Sequence, residues 1–271
     1  MFSTRFAPSP TYFLHLGHAA SALHVWRAAE NAGGEVLLRI EDIDTTRCRP
    51  EYAVSILQDL RWLGLDWPDP VRVQSDHFAD YADCVSLLTA RGLAYRCFRT
   101  RSEVARLADP LRPGPHAADD EAALLARKTP FAWRLSLSDA RAELGARWGQ
   151  LSYTEMTPEG LATRAARPAL HGDIVIARKD SPSAYHIAAT HDDALQRMTH
   201  IIRGEDLLDA PHIQTLLQVL MDWHQPVYQH HALLYDEDGA KLSKRQKSIS
   251  LASLRADGMT ADQVRARLGF A

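Results

Sequence analysis

The N-terminal part of the chain alternates between short apolar segments and one longer amphipathic segment. Residues 4–7 and 36–40 are short and apolar enough to be buried strands, and a Pro-Ser-Pro run ends the first of them. Between them, residues 17–31 place apolar side chains three to four positions apart, which is the spacing of one buried helix face. The order strand, helix, strand predicts the start of a parallel α/β sheet.

The same reasoning extends an α/β pattern over most of the chain. Residues 108–130 carry four prolines among alanines and charged residues, which predicts an irregular insertion. Near the C-terminus short helices are predicted, because Thr260 and Gln263 have the spacing of a capping box. Further helices are predicted at 50–64, 78–91 and 210–223, and further strands at 93–98, 131–135, 173–177, 185–190, 199–202 and 230–234.

Composition excludes several classes of protein. The 271 residues are 46% apolar and 24% charged, with a formal net charge of −3, which excludes a strongly basic histone-like or ribosomal-type protein. No apolar run reaches the roughly 18 residues of a membrane span, and the N-terminus has no secretory signal. Three widely spaced cysteines, Cys48, Cys84 and Cys97, do not form a disulfide framework. We therefore expect a cytoplasmic protein without a membrane partner.

The segment His15-Leu16-Gly17-His18 lies between the first predicted strand and the first predicted helix. Gly17 would let a ligand approach the backbone, and a helix N-terminus offers N–H groups and partial positive charge. Together these features suit an anionic phosphate chain. On its own, a helix start with surface histidines explains the segment equally well.

Four further groups carry charge or a hydroxyl. Residues 241–245, Lys-Leu-Ser-Lys-Arg, would neutralise charge on a triphosphate, and Glu41, at the end of a predicted strand, would hold an ammonium group. Arg203 would bind a carboxylate or phosphate, and Tyr185 would offer a hydroxyl. Taken singly, an exposed basic loop, a solvated acidic turn, a surface ion pair and a half-buried tyrosine are simpler interpretations.

The order of five motifs changes this interpretation. This order resembles that of the motifs in the catalytic domain of class I glutamyl-tRNA synthetases, and the hallmark motifs of that class are H-I-G-H and K-M-S-K-S. The resemblance covers nearly the whole chain and is strongest over 1–95 and 181–245. The motifs are Arg5-Phe6-Ala7-Pro8-Ser9-Pro10-Thr11, His15-Leu16-Gly17-His18, the run at Glu41, Arg203-Gly204-Glu205-Asp206 and Lys241-Leu242-Ser243-Lys244.

This resemblance implies a Rossmann-type parallel sheet built by 1–95 and 181–245, a smaller α+β insertion at 96–180, and a short helical segment at 246–271. The chain lacks the large anticodon-reading region of the full-length enzymes, so it is more similar to their short paralogues, the glutamyl-Q tRNA(Asp) synthetases. Ala189 agrees, because full-length enzymes tend to have Asn there. That family activates L-glutamate with ATP without needing tRNA. It then transfers the glutamate to queuosine in the anticodon of tRNA(Asp).

The resemblance also implies a set of site residues, with Mg²⁺ accompanying ATP. We expect the protein to be a monomer. Which arginine holds which carboxylate of glutamate stays open. The expected catalytic residues are His15, His18, Lys241 and Lys244. The expected ATP-binding residues are Pro8, His15, Gly17, His18, Lys241, Ser243, Lys244 and Arg245. The expected glutamate-binding residues are Arg5, Ala7, Ser9, Glu41, Tyr185 and Arg203.

Some positions depart from the family. Many members bind zinc through Cys-x-Cys and a later Cys, but here Arg99 replaces the second cysteine and none follows Cys97, which predicts no zinc. Tyr12 and Arg197 replace customary glycines. They leave open a weakened paralogue that only binds tRNA or nucleotide. Two more interpretations stay open: a catalytic fragment that charges tRNA(Glu), and a small nucleotidyltransferase. The acidic pair at 192–193 is interpreted as a strand-end turn without a role.

Overall fold

Ten strands and ten α-helices follow one another in residues 1–235 and 249–270, the part of the chain that the computed structural model describes. The strands are β1 (Ser3–Phe6), β2 (Glu35–Ile40), β3 (Arg72–Val73), β4 (Ala94–Cys97), β5 (Ala132–Leu135), β6 (Ser152–Thr157), β7 (Gly160–Ala165), β8 (Val175–Ala177), β9 (His200–Gly204) and β10 (Val227–His231). The helices are α1 (Leu16–Asn31), α2 (Pro50–Trp62), α3 (Phe78–Ala90), α4 (Arg101–Val104), α5 (Ala118–Ala126), α6 (Leu137–Leu144), α7 (Tyr185–Leu195), α8 (Ala210–Leu220), α9 (Leu251–Ala256) and α10 (Ala261–Arg267).

Two groups of strands form the central sheet region. β1, β2 and β3 pair in parallel, and so do β6, β10 and β9, while β7 closes the edge as an antiparallel hairpin with β6. The groups adjoin at β1 and β9, where the backbone N–H of Thr199 donates to the carbonyl of Ser3 over 3.0 Å. The predicted parallel α/β fold is confirmed.

A separate antiparallel sheet contains β4, β5 and β8. Its strands confirm the short strands predicted at 93–98, 131–135 and 173–177. The sequence pattern does not predict the β6–β7 hairpin. The hairpin falls in the sequence range of the expected insertion, yet it pairs with β10 of the central sheet.

Three predictions of local structure are wrong. Residues 185–190 begin helix α7 instead of forming a strand. Consecutive positions there are buried, so the pattern lacks the polar stripe that marks a surface helix. Residues 108–130 include α5, which buries no side chain and therefore leaves no apolar periodicity to detect. The strand expected at 230–234 is β10, which begins and ends several residues earlier.

The C-terminal helices pack on the core beneath α1 and α2. Leu251, Leu254 and Val264 are buried in the same apolar cluster as the side chains of those helices. Nη1 of Arg255 lies 3.2 Å from Oδ1 of the fully buried Asp59 on α2. In the described parts of the chain, no helix is long and apolar enough to cross a membrane.

Candidate functional site

A cavity of about 620 Å³ opens where four strands end. Ala7, Glu41, Asp206 and Ala232 line it, and they come just after β1, β2, β9 and β10, respectively. In open parallel sheets, ligands bind beyond the carboxyl ends of the strands, where loops from separate strands converge. The fold therefore places a binding site where the sequence motifs lie.

The structure brings together every predicted site residue that it describes. All ten line this one cavity, although they come from separate parts of the sequence, and their individual roles remain predictions. Four further predicted residues, Lys241, Ser243, Lys244 and Arg245, lie outside the described residues. The ten residues are Arg5, Ala7, Pro8, Ser9, His15, Gly17, His18, Glu41, Tyr185 and Arg203.

The two histidines form the N-terminus of α1. Nδ1 of His15 accepts a hydrogen bond from the backbone N–H of Gly17 over 3.1 Å, and Nδ1 of His18 accepts one from the N–H of His15 over 3.2 Å. Because each Nδ1 acts as an acceptor, the neutral rings carry their protons on Nε2. Each Nε2–H is then a donor, at a helix end that favours anions.

Arg203 is a buried cation whose hydrogen-bond partners are uncharged. Its Nη2 donates to Oε1 of Gln214 over 3.0 Å, and its Nε donates to Nε2 of His230 over 3.3 Å. Its Nη1 is buried and has no hydrogen-bond partner among the described residues. A buried charge is costly unless an opposite charge pairs with it. This site therefore suits a ligand with an anionic group.

The other buried arginines beside the cavity are already paired with carboxylates. Oδ1 of Asp193 lies 2.9 Å from Nε of Arg5 and 2.9 Å from Nη1 of Arg39. Nη2 of Arg39 also lies 3.0 Å from Oε1 of Glu41. Burial raises the pKa of Glu41 by more than Arg39 and Arg5 lower it. Burial acts in the same direction on Asp193, but there the two arginines outweigh it and hold the pKa below its ordinary value.

Sequence reasoning did not predict the network of buried ion pairs and hydrogen bonds around Asp192 and Asp193, beneath the cavity. The interpretation of the pair at 192–193 as a turn without a role is wrong, because the pair lies in α7 and both side chains are buried. Asp192 accepts hydrogen bonds from Arg72, Gln74 and Tyr81 over 2.9, 3.0 and 2.8 Å. An arginine inside an otherwise apolar strand, such as Arg39, is the signal that could have revealed it, because a buried cation needs carboxylates nearby.

Tyr12 and Arg197, which replace customary glycines of the family, differ in backbone conformation. Tyr12 does not have a positive φ, is 46% exposed and does not line the cavity. Its ring packs against Phe13 and Tyr52, with centroids 5.9 and 5.8 Å away. Arg197, in contrast, has a φ of 54°, the left-handed conformation in which glycine is favoured. The strain expected of a glycine replacement is thus present at Arg197 and absent at Tyr12.

Cys97, the remaining cysteine of the family's zinc pattern, is buried at the end of β4. Over residues 1–235 and 249–270, no cluster of three or more histidine, cysteine or acidic side chains is arranged to hold a metal ion.

Comparisons with known proteins agree with the motif-based resemblance. The family model for the catalytic domain of class I tRNA synthetases (E and Q) matches residues 1–268. A glutamyl-Q tRNA(Asp) synthetase from Rhodobacter capsulatus is 38% identical, over 98% of this chain and 99% of the relative. One from Nitratidesulfovibrio vulgaris is 37% identical, over 97% and 84%. The crystal structure of a glutamate tRNA ligase from Elizabethkingia meningosepticum, in complex with its amino acid, aligns with a TM-score of 0.71 at 28% identity, over 90% of this chain and 52% of that one.

Proposed function

The chain belongs to the class I tRNA synthetase family for glutamate and glutamine, which includes the glutamyl-Q tRNA(Asp) synthetases, and we propose that it activates L-glutamate with ATP, without tRNA, and then transfers the glutamyl group to queuosine in the anticodon of tRNA(Asp). The chain is an ATP-dependent ligase that uses glutamate and a tRNA. The observation that carries the choice of glutamate is the buried guanidinium of Arg203, which lines the cavity without an acidic partner among the described residues. The proposed queuosine acceptor is supported by the similarity to glutamyl-Q tRNA(Asp) synthetases.

Glutamate has two carboxylates and one ammonium group, and the cavity offers complementary charges. In our proposal Arg203 binds one carboxylate and Arg5 the other, since no described residue accepts a hydrogen bond from Nη1 of either arginine. Glu41 binds the ammonium group, because Arg39 contacts only its Oε1 among the described atoms. Tyr185 and Ser9 line the same space and supply hydroxyls. Glutamine lacks the second negative charge, so it should bind less well.

We assign the ATP phosphates to the N-terminus of α1, where His15 and His18 present Nε2–H donors. Lys241 and Lys244 are assigned to the departing pyrophosphate. The described residues on either side of their segment support this assignment. Leu234 lines the cavity, and Ser250 forms a β-bridge with His15. Mg²⁺ would accompany ATP, held mainly by the ATP phosphates, and would offset part of their negative charge.

The chemistry follows from these positions. An oxygen of the glutamate α-carboxylate attacks the α-phosphorus of ATP and forms a new O–P bond. The bond from that phosphorus to the bridging oxygen breaks, and pyrophosphate leaves. The carboxylate is ionised at neutral pH, so the step needs no general base and depends on positioning and charge neutralisation. A hydroxyl of the queuosine ring then attacks the glutamyl carbonyl carbon and loses its proton to solvent. The bond from that carbon to the phosphate oxygen breaks, and AMP leaves.

The proposal is tested by ATP–pyrophosphate exchange with purified protein in the absence of tRNA. We expect exchange with glutamate and none with aspartate or glutamine. Folded protein that binds ATP but gives no exchange would instead support a non-catalytic paralogue, or an enzyme that needs its tRNA first. Adding tRNA to that reaction separates these two outcomes.

The acceptor is tested with labelled glutamate and three tRNAs. We expect label on queuosine-containing tRNA(Asp), and none on tRNA(Asp) that lacks queuosine or on tRNA(Glu). Label on tRNA(Glu) alone would favour the interpretation in which the chain charges a tRNA 3′ end.

A further inference from the structure

A chain of hydrogen bonds leads from Arg203 away from the cavity. Nε of Arg203 donates to Nε2 of His230 over 3.3 Å, and Nδ1 of His230 lies 3.1 Å from Oε1 of Glu155. The His230 side chain is only 4% exposed. Neither His230 nor Glu155 lines the cavity. We call Arg203, His230 and Glu155 the Arg203 relay.

The geometry fixes the protonation of the imidazole. An arginine N–H can only donate, so Nε2 of His230 must carry a lone pair and the ring proton must be on Nδ1. The Nδ1–H of His230 donates a hydrogen bond to Oε1 of Glu155. Burial, the positive charge of Arg203 and the neighbouring His231 lower the pKa of His230, whereas Glu155 raises it. The net direction is downward, so the ring is neutral at neutral pH.

Glu155 itself is held as a carboxylate. Burial raises its pKa, but hydrogen bonds from Arg164 and His230 outweigh that effect and bring the pKa below its ordinary value. An ionised carboxylate accepts hydrogen bonds and donates none. Glu155 therefore selects the Nδ1–H form of His230, as carboxylates do for many functional histidines.

We propose that His230 and Glu155 are positioning residues for glutamate activation. Glu155 sets the tautomer of His230, and His230 holds the guanidinium of Arg203 through an uncharged acceptor. The positive charge of Arg203 thus stays available for a substrate carboxylate. This inference rests on the proposed function. In the availability of its charge, Arg203 differs from Arg5 and Arg39, whose positive charges are already shared with Asp193. The Arg203 relay also gives the β6–β7 hairpin a role, because Glu155 lies on β6.

The first test compares Glu155→Met, which removes the acceptor but keeps a side chain of similar size, with Glu121→Met. Glu121 is a matched control because it also pairs with an arginine, Arg96, at 2.7 Å, but far from the relay in sequence and on α5. In glutamate-dependent exchange we expect Glu155→Met to raise the KM for glutamate about tenfold, with the KM for ATP within about twofold. Glu121→Met should leave both unchanged.

A second variant distinguishes positioning from general destabilisation. His230→Gln supplies an amide oxygen that can accept from Nε of Arg203 without help from a tautomer. If Glu155 acts through the tautomer, adding Glu155→Met to His230→Gln should change the KM for glutamate by less than about twofold. An equal rise in both KM values, or additive effects in the double variant, would overturn the proposal.

The tautomer can be observed without any activity. Two-bond proton–nitrogen NMR correlations at neutral pH should show His230 protonated on Nδ1, with its signals assigned by their loss in His230→Gln. In Glu155→Met this preference should disappear. A ring protonated on Nε2, or on both nitrogens, would refute the relay. If the wild-type protein gave no exchange, the proposed function would fail while this experiment still decided the relay.

Discussion

At the scale of single residues, the partner of each buried arginine determines what that arginine can bind. Arg5 and Arg39 share the carboxylate of Asp193, so part of their charge offsets a buried negative charge, and Arg5 keeps only its Nη1 for a substrate carboxylate. Arg203 has only the neutral acceptors His230 and Gln214 among the described residues. A ligand carboxylate at Arg203 would gain a charge-assisted hydrogen bond without displacing a protein carboxylate.

Arg203→Gln should therefore weaken glutamate use strongly. We expect the KM for glutamate in the exchange reaction to rise about 10- to 100-fold, the usual effect of losing a hydrogen bond to a charged group. Preference for glutamate over glutamine should fall as well. Arg112→Gln is the control, because Arg112 is a half-exposed arginine that pairs with Asp109 at 3.1 Å outside the cavity. An unchanged KM in Arg203→Gln would exclude Arg203 from substrate binding.

The raised pKa of Glu41 predicts the pH dependence of glutamate binding. Burial is the main cause of the shift, so the carboxyl gains a proton at a higher pH than an ordinary glutamate does. Only the ionised form attracts an ammonium group. As pH falls through the raised pKa, Glu41 becomes neutral, and we expect the KM for glutamate to rise.

This dependence should be measured as the KM for glutamate from neutral to mildly acidic pH. Glu41→Gln should bind glutamate poorly at every pH and should lose the acidic limb. A limb of the same shape in Glu41→Gln would assign it to a group other than Glu41.

At the scale of elements, the end of α7 explains why glycine is customary at the position that Arg197 occupies. The N–H of Met198 donates to the carbonyl of Asp193 over 2.9 Å, and the N–H of Arg197 donates to that of Ala194 over 3.0 Å. These are the two hydrogen bonds of a Schellman motif, in which the residue with positive φ is preferably glycine. The motif closes the turn that carries Asp193, the partner of Arg5 and Arg39.

We expect Arg197→Gly to be more stable than Arg197→Ala by about 1 kcal/mol, because a side chain in the left-handed conformation is strained. Both variants lose the same exposed cation, so their difference isolates the backbone effect. Urea unfolding at constant pH measures it. Equal stability of the two variants would show that the turn relaxes around Arg197 at no cost. Glutamate-dependent exchange should be similar in both, since Arg197 does not line the cavity.

The elements also show which features a sequence pattern can reveal. The Glu41 motif is located correctly because a buried parallel strand has a recognisable apolar run, and its carboxyl end follows from chain direction. Helix α7 escapes prediction because buried positions on all sides remove the helical period. The β6–β7 hairpin escapes it because half-exposed strands have a weak apolar pattern. The Arg203 relay depends on the pairing of β10 with β6 and β9, and β6 is far from the other two strands in the sequence. A local sequence pattern does not encode such pairings.

At the scale of the whole molecule, the C-terminal helices connect the core to the phosphate end of the site. Leu251 is buried, and its backbone N–H donates to the carbonyl of Leu14 over 2.8 Å. Ser250, directly before it, forms a β-bridge with His15. The helix that begins at Leu251 therefore supports the residues that precede α1. Core packing at residues 251–264 should consequently influence ATP binding as well as stability.

Leu254→Ala tests this coupling. Leu254 is 6% exposed in the core beneath α1 and α2, and truncating a buried leucine typically costs about 3 kcal/mol of unfolding free energy. Well below the melting temperature, we expect the KM for ATP to rise severalfold while the KM for glutamate changes less, because α9 supports His15 and not Arg203. Leu161→Ala is the control, since Leu161 is 64% exposed on β7 and should change neither property. A loss of stability with an unchanged KM for ATP would show that the C-terminal helices support the core alone, and that the N-terminus of α1 holds its position without them.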